Sequence, residues 1–188
     1  ITTPEGRAAV FAAPGGPGKD FDIVVTNAGG PPPGDFREWD RDAWIRAVDA
    51  NMLTPIELIK ATVDGMAARG FGRIVNITSG AVKAPLQVLG LSNGARSGLT
   101  GFVAGLARSE IAARGVTVNN LSPGLIATER NRWRREDAQA WADIERGSSP
   151  MRRAGTPDEM AGAALLLCSD AGSFITGADL QATGGRHL

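Results

Sequence analysis

No tyrosine occurs among the 188 residues, histidine and cysteine occur once each, and the formal charges cancel. Without a phenol, the chain lacks the hydroxyl whose pKa, roughly 10, a nearby cation can tune toward neutrality for proton transfer. With His187 as the single imidazole, neither a histidine-based metal centre nor a catalytic triad can be assembled. Cys168, in the apolar run Ala164 to Cys168, has no partner for an internal disulfide. It reads as a small buried hydrophobe, and a reducing cytoplasm is the expected compartment. Zero net charge removes the basic excess expected of a nucleic-acid binder, so a small molecule or another subunit is the expected partner. No apolar stretch approaches the length of a membrane span, and Ile1-Thr2-Thr3-Pro4-Glu5 has neither the charged nor the apolar region of a signal peptide. No membrane partner is expected.

What is present is 43% hydrophobic, enough for a real core in one domain spanning 1–188. Thr3 and Pro4 predict the start of a short helix that Ala12 to Gly18 breaks. Phe21 to Asn27 is a brief apolar run closed by Ala28-Gly29-Gly30-Pro31-Pro32-Pro33-Gly34, the pattern of a buried parallel strand entering a loop. From Asp40 to about Arg69, Trp44, Val48, Met52, Ile56, Ile59 and Val63 recur at helical spacing, with Asp40 as cap and Gly70 as stop. Arg73 to Ser79 predicts a second strand, Asn93 to Arg114 a second long helix, and Val116 to Leu121 a third strand. The order βαβαβ implies a parallel sheet. A lid at about 129–150 carries Trp133 and Trp141. Thr156-Pro157-Asp158-Glu159 is a capping box opening a helix that runs to about Cys168, and Asp179 to Gly185 predicts a fourth strand.

Within this frame Asn27-Ala28-Gly29, Asn51, Gly72 to Ser79 and Ser122-Pro123-Gly124-Leu125-Ile126-Ala127-Thr128 resemble the short-chain dehydrogenase/reductase family, and in particular its 3-oxoacyl-carrier-protein-reductase-like members. The resemblance implies an α/β, Rossmann-like doubly wound parallel sheet and hydride exchange between NAD or NADP and a small carbonyl or alcohol. It implies that Ser79 binds the substrate carbonyl and that Asn51 holds a relay water. It places Asn27, Ala28 and Gly29 beside the adenosine ribose, and Pro123, Gly124, Ile126 and Thr128 against the nicotinamide. Ala28 and Gly29 read equally well as part of a strand-to-loop turn that needs small residues.

The family's tyrosine and lysine fall on Ser92 and Arg96 of Ser92-Asn93-Gly94-Ala95-Arg96. Their i, i+4 spacing keeps both on one helix face, while an aliphatic hydroxyl is a poor proton source and a guanidinium stays charged. Lys83, four residues after Ser79, is the nearest candidate substitute donor, against its reading as a solvated loop lysine. Arg130, Arg132, Arg134 and Arg135 could receive an anion, or belong with Glu136 and Asp137 to a mixed-charge helix face.

The family's glycine-rich pyrophosphate turn has no match: Gly15 to Gly18 precede a strand, and Gly29-Gly30 lead into prolines. The fold is therefore expected to be truncated at its N-terminus, with Ile23-Val24-Val25 left as an apolar edge that a neighbouring chain covers in a homodimer or homotetramer. Small residues Ser97, Gly98, Gly101, Ala104 and Gly105 would let another helix approach, or serve internal packing. The alternative function is a non-catalytic protein used for oligomerisation or ligand binding on the same fold.

Overall fold

The computed structural model describes residues 1–187, apart from the side chain of Trp133, so that part of the lid expectation lies outside the described residues. Helix α1 (Pro4–Phe11) starts where Thr3 accepts from the Gly6 amide at 3.1 Å, with proline at its first position. Strand β1 (Ile23–Thr26) follows. The expected single helix from Asp40 is capped as predicted, Asp40 accepting from the Ala43 amide at 2.7 Å, but it is not continuous. It is α2 (Arg41–Val48), a π-type turn over Asp49–Leu53, and α3 (Thr54–Arg69), ended by Gly70 in the left-handed region at φ 73°.

Strand β2 (Gly72–Ile77) leads through a short loop to α4 (Gly90–Leu106), which starts three residues earlier than the sequence suggests and ends well before Arg114. Strand β3 (Val116–Pro123) is longer than expected. The lid segment is a 3-10 stretch, Glu129–Arg135, followed by α5 (Ala138–Ser148). The capping box opens α6 (Pro157–Cys168) with both of its reciprocal bonds, Glu159 N–H to Thr156 Oγ1 at 3.2 Å and Thr156 N–H to Glu159 Oε2 at 2.8 Å. Strand β4 (Asp179–Ala182) completes a four-stranded, wholly parallel sheet of order β1-β2-β3-β4.

Both faces of the sheet carry helices, as a parallel sheet requires. On one face Ile74, Val116 and Val118 pack against Ile59 and Met66 of α3 and Leu99 and Val103 of α4. On the other, Val75 and Leu121 meet Leu167 of α6. Each such side chain removed from water contributes roughly 1.5–3 kcal/mol, so these two clusters fix the spacing of the strand ends. Polar side chains tie the strands together at depth. Thr26 donates to Asn76 Oδ1 at 2.7 Å, Asn76 donates to the Asn119 carbonyl at 3.4 Å, and Ser122 donates to Asp179 at 2.5 Å. Among the described residues no helix is long and apolar enough to cross a membrane.

Candidate functional site

A cleft of about 730 Å³ opens where β1, β2 and β3 end, the crevice at which open parallel sheets bind ligands. β1 delivers Asn27 and Ala28 to its wall, β2 delivers Thr78 and Ser79, and β3 delivers Pro123, Gly124 and Ile126, with Thr128 beyond. Gly124 lies tight against the chain beyond β4: a Cβ there would stand 2.8 Å from Thr183 Cα. The segment after β3 is pinned twice. Ala127 donates to the Gly155 carbonyl and Gly155 to the Leu125 carbonyl, each at 2.9 Å. Asn131 accepts from the Thr128 amide at 3.0 Å and donates to the Ile126 carbonyl at 2.8 Å.

Ser79 is half-buried in this cleft and accepts from the Ala81 amide at 3.2 Å, which leaves its own proton free to donate. Arg96 reaches the same cleft from α4 and donates to the Ala28 carbonyl at 3.4 Å. Burial, and after it the charge of Arg130, pull the Arg96 guanidinium below its usual pKa.

The other expected residues lie elsewhere. Ser92, one turn before Arg96, is 5% exposed, outside the cleft lining, and its hydroxyl has no partner among the described residues. Asn51 sits in the π-type turn, 4% exposed, lining a neighbouring cavity of about 210 Å³ together with Gly29. Its Nδ2 donates to the Ala47 carbonyl at 3.3 Å, while its Oδ1 is buried without a protein partner. Such an atom calls for a water, and the cavity has room for one. Lys83 is exposed at the end of the 3-10 turn Gly80–Val82 and does not line the cleft. Cys168 is half-buried, and burial pushes its thiol up against the opposing pull of Arg73, the state of an unreactive thiol. His187, assigned no role, bonds through Nδ1 to Thr183 at 2.8 Å.

The basic cluster after Thr128 divides. Glu129 pairs with Arg132 at 3.6 Å and Arg135 at 3.7 Å, so the acid in these ion pairs is Glu129, not the Glu136 and Asp137 that the sequence suggests. Arg130 instead lines the cleft beside Arg96. Nothing in the linear order of four nearby arginines separates this one from its neighbours.

Residues 1–187 match the family described as enoyl-(acyl carrier protein) reductase. An acetoacetyl-CoA reductase of Cupriavidus necator is 39% identical over 171 residues, covering 90% of this chain and 67% of that protein. A crystal structure of a 3-oxoacyl (acyl-carrier-protein) reductase from Agrobacterium tumefaciens C58 with NADP bound superposes with a TM-score of 0.85 at 31% identity, covering 98% of this chain and 69% of that one. A 3-oxoacyl-[acyl-carrier protein] reductase from Brucella melitensis with bound NAD gives 0.77 at 33% identity, over 89% and 63%. The chain spans about two thirds of the length of the curated relatives it matches.

Proposed function

The chain belongs to the short-chain dehydrogenase/reductase family, and from that premise we propose that it exchanges hydride between NAD or NADP and a small carbonyl or alcohol, as a weak 3-oxoacyl-reductase-like enzyme. The observation that carries this reading is the convergence of Ser79, Arg96, Pro123, Gly124, Ile126 and Thr128 on one cleft at the strand ends. These residues fit the nicotinamide end of the cofactor, whose ring supplies or accepts the hydride when bound. No pyrophosphate turn stands beside them among the described residues: β1 runs through Gly29-Gly30 into prolines, and no helix opens there.

Within the cleft, Ser79 donates its free proton as a hydrogen bond to the substrate carbonyl oxygen. Arg96 adds a fixed positive charge where negative charge develops on that oxygen. Asn51 holds a water through its unpartnered Oδ1, and the proton taken up by the product comes from water. Loss of a positioned general acid forfeits roughly 10²–10⁴ in rate, so turnover is expected to be slow and not absent.

A reducing cytoplasm and a homodimer or homotetramer go with this reading, the latter supported by the exposed small residues Ser97, Gly101, Ala104 and Gly105 along α4. Gly98 serves internal packing instead, since a Cβ there would stand 2.7 Å from Met52 Sδ.

A second reading, a non-catalytic ligand-binding protein, is favoured by the withdrawal of Ser92 from the cleft. Calorimetric titration of NADH and NADPH into the protein separates the two. Saturable binding of either, with slow reduction of a 3-oxoacyl thioester, is the expected result. Failure of both cofactors to bind overturns the oxidoreductase reading.

A further inference from the structure

Gly30 is the point on which two cations converge. A Cβ there would lie 3.5 Å from Arg96 Nη2 and 3.6 Å from both terminal nitrogens of Arg130. All three are ordinary van der Waals distances, so both guanidinium groups pack close to Gly30 and to one another, at the edge of the cleft that both side chains line. The two side chains come from different directions, Arg96 from α4 and Arg130 from the segment beyond β3, and both line the cleft.

Like charges this close repel, and although Arg130 is exposed, Arg96 is half-buried, so water screens the pair only from one side. The acid best placed to relieve it, Glu129, lines the same cleft but is engaged by Arg132 and Arg135. Arg96 spends one donor on the Ala28 carbonyl, and neither Arg96 nor Arg130 has an ion pair among the described residues. The lowering of the Arg96 pKa by burial and by Arg130 agrees with a positive charge that the fold leaves uncompensated. Both side chains line the cleft, and apart from the one bond to Ala28 their N–H donors have no acceptor among the described residues, leaving planar forks of the kind that match a two- or three-oxygen anion.

We propose that Arg96 and Arg130 form an oxyanion-binding site beside Gly30, which takes the carboxylate or phosphate group of a small ligand. A carbonyl oxygen alone engages one N–H of this pair, whereas a carboxylate or phosphate matches both forks. The ligand class is therefore an oxo or hydroxy acid, or a phosphorylated molecule, whose other end lies in the cleft toward Ser79. The site does not depend on hydride transfer, and it is tested without cofactor, so its failure and failure of the reductase reading are separately visible.

The probes are malonate and inorganic phosphate, titrated calorimetrically into the protein at low ionic strength, where exposed charges are least screened. Saturable binding of at least one is expected, weakened at least about tenfold by Arg130→Ala, which removes one fork of the pair. Gly30→Ala is the second variant. Gly30 has no positive φ and its added methyl meets nothing closer than 3.5 Å, so the variant is expected to fold, and the methyl, set against both guanidinium groups, should weaken anion binding; binding that it leaves unchanged counts against the proposal. Binding of malonate alone assigns a carboxylate ligand, and binding of phosphate alone a phosphorylated one. No saturable binding of either anion, or binding that Arg130→Ala leaves unchanged, overturns the proposal.

Discussion

A hydroxyl that accepts from a backbone amide keeps its proton for something else, and Ser79 is in that state with the Ala81 amide on its oxygen. Ser92 has the same chemistry and a worse position: it is buried behind the cleft, one helical turn from Arg96, whose long stem carries its charge into the lining. The two serines should therefore respond differently to the same change. Ser79→Ala is expected to lower kcat of any reductase activity about a hundredfold, whereas Ser92→Ala should leave it nearly unchanged. A steady-state comparison of the two variants checks this, and equal losses would mean that Ser92 reaches the substrate after all. The i, i+4 spacing puts Ser92 and Arg96 on one face, and the structure agrees. Which of them reaches the ligand depends on side-chain length and on what packs against α4, neither of which is written in the spacing. The sequence names Arg130 within a cluster that could receive an anion, but which of its arginines meets Arg96 was not readable, because Arg96 lies 34 positions away and only the fold brings them together.

At the scale of elements, strands and caps were legible because their signals are local: the capping box at Thr156 and Glu159, the proline at the first position of α1 and α6, and the glycine that ends α3. The π-type turn at Asp49–Leu53 was not. The extra residue is absorbed in the successive spacings of four at Trp44, Val48, Met52 and Ile56, which a 3.6 period also allows, so the pattern to Val63 reads as continuous. That turn is what carries Asn51 and its unpaired oxygen into the neighbouring cavity.

Two predictions belong to this scale. Gly115 joins the 3-10 turn Ala112–Arg114 to β3 at φ 76°, and a Cβ there would stand 2.2 Å from the Gly70 carbonyl oxygen. Gly115→Ala should cost about 2–4 kcal/mol from strain and clash together, read as a lower urea midpoint. Glu159 is held at a pKa of about 2, below its usual 4.5, by the Arg153 guanidinium and the Thr156 amide. Because the folded pKa is depressed, this contribution is complete above pH 4.5 and is lost as pH falls toward 2. Glu159→Gln should accordingly be less stable than the wild type at pH 6, with the gap in thermal midpoint closing between pH 4.5 and 2. A gap independent of pH would assign the effect to the cap geometry alone.

For the whole molecule, the open question is what the sheet does at its β1 side. β1 pairs only with β2, and Val25 lies in register with Val75 on the face that α6 covers farther along the sheet. Over β1 that cover is missing: Ile23 is 46% and Val25 49% exposed. Neighbouring Val24 is partly buried against the opposite cluster, so the strand is sealed on one side and bare on the other. A strand edge with free backbone donors and acceptors, flanked by exposed β-branched side chains, is a template for another chain. The 188-residue chain is therefore expected to associate with itself in solution, with an average mass in light scattering that rises with concentration. Val25→Lys places a charge on the bare face without touching the buried one, and it should shift the population toward monomer while leaving the circular dichroism spectrum unchanged. A chain that is monomeric at all concentrations with its fold intact would show that the exposed edge needs no cover, and association that survives Val25→Lys would move the contact to another surface such as the small-residue face of α4.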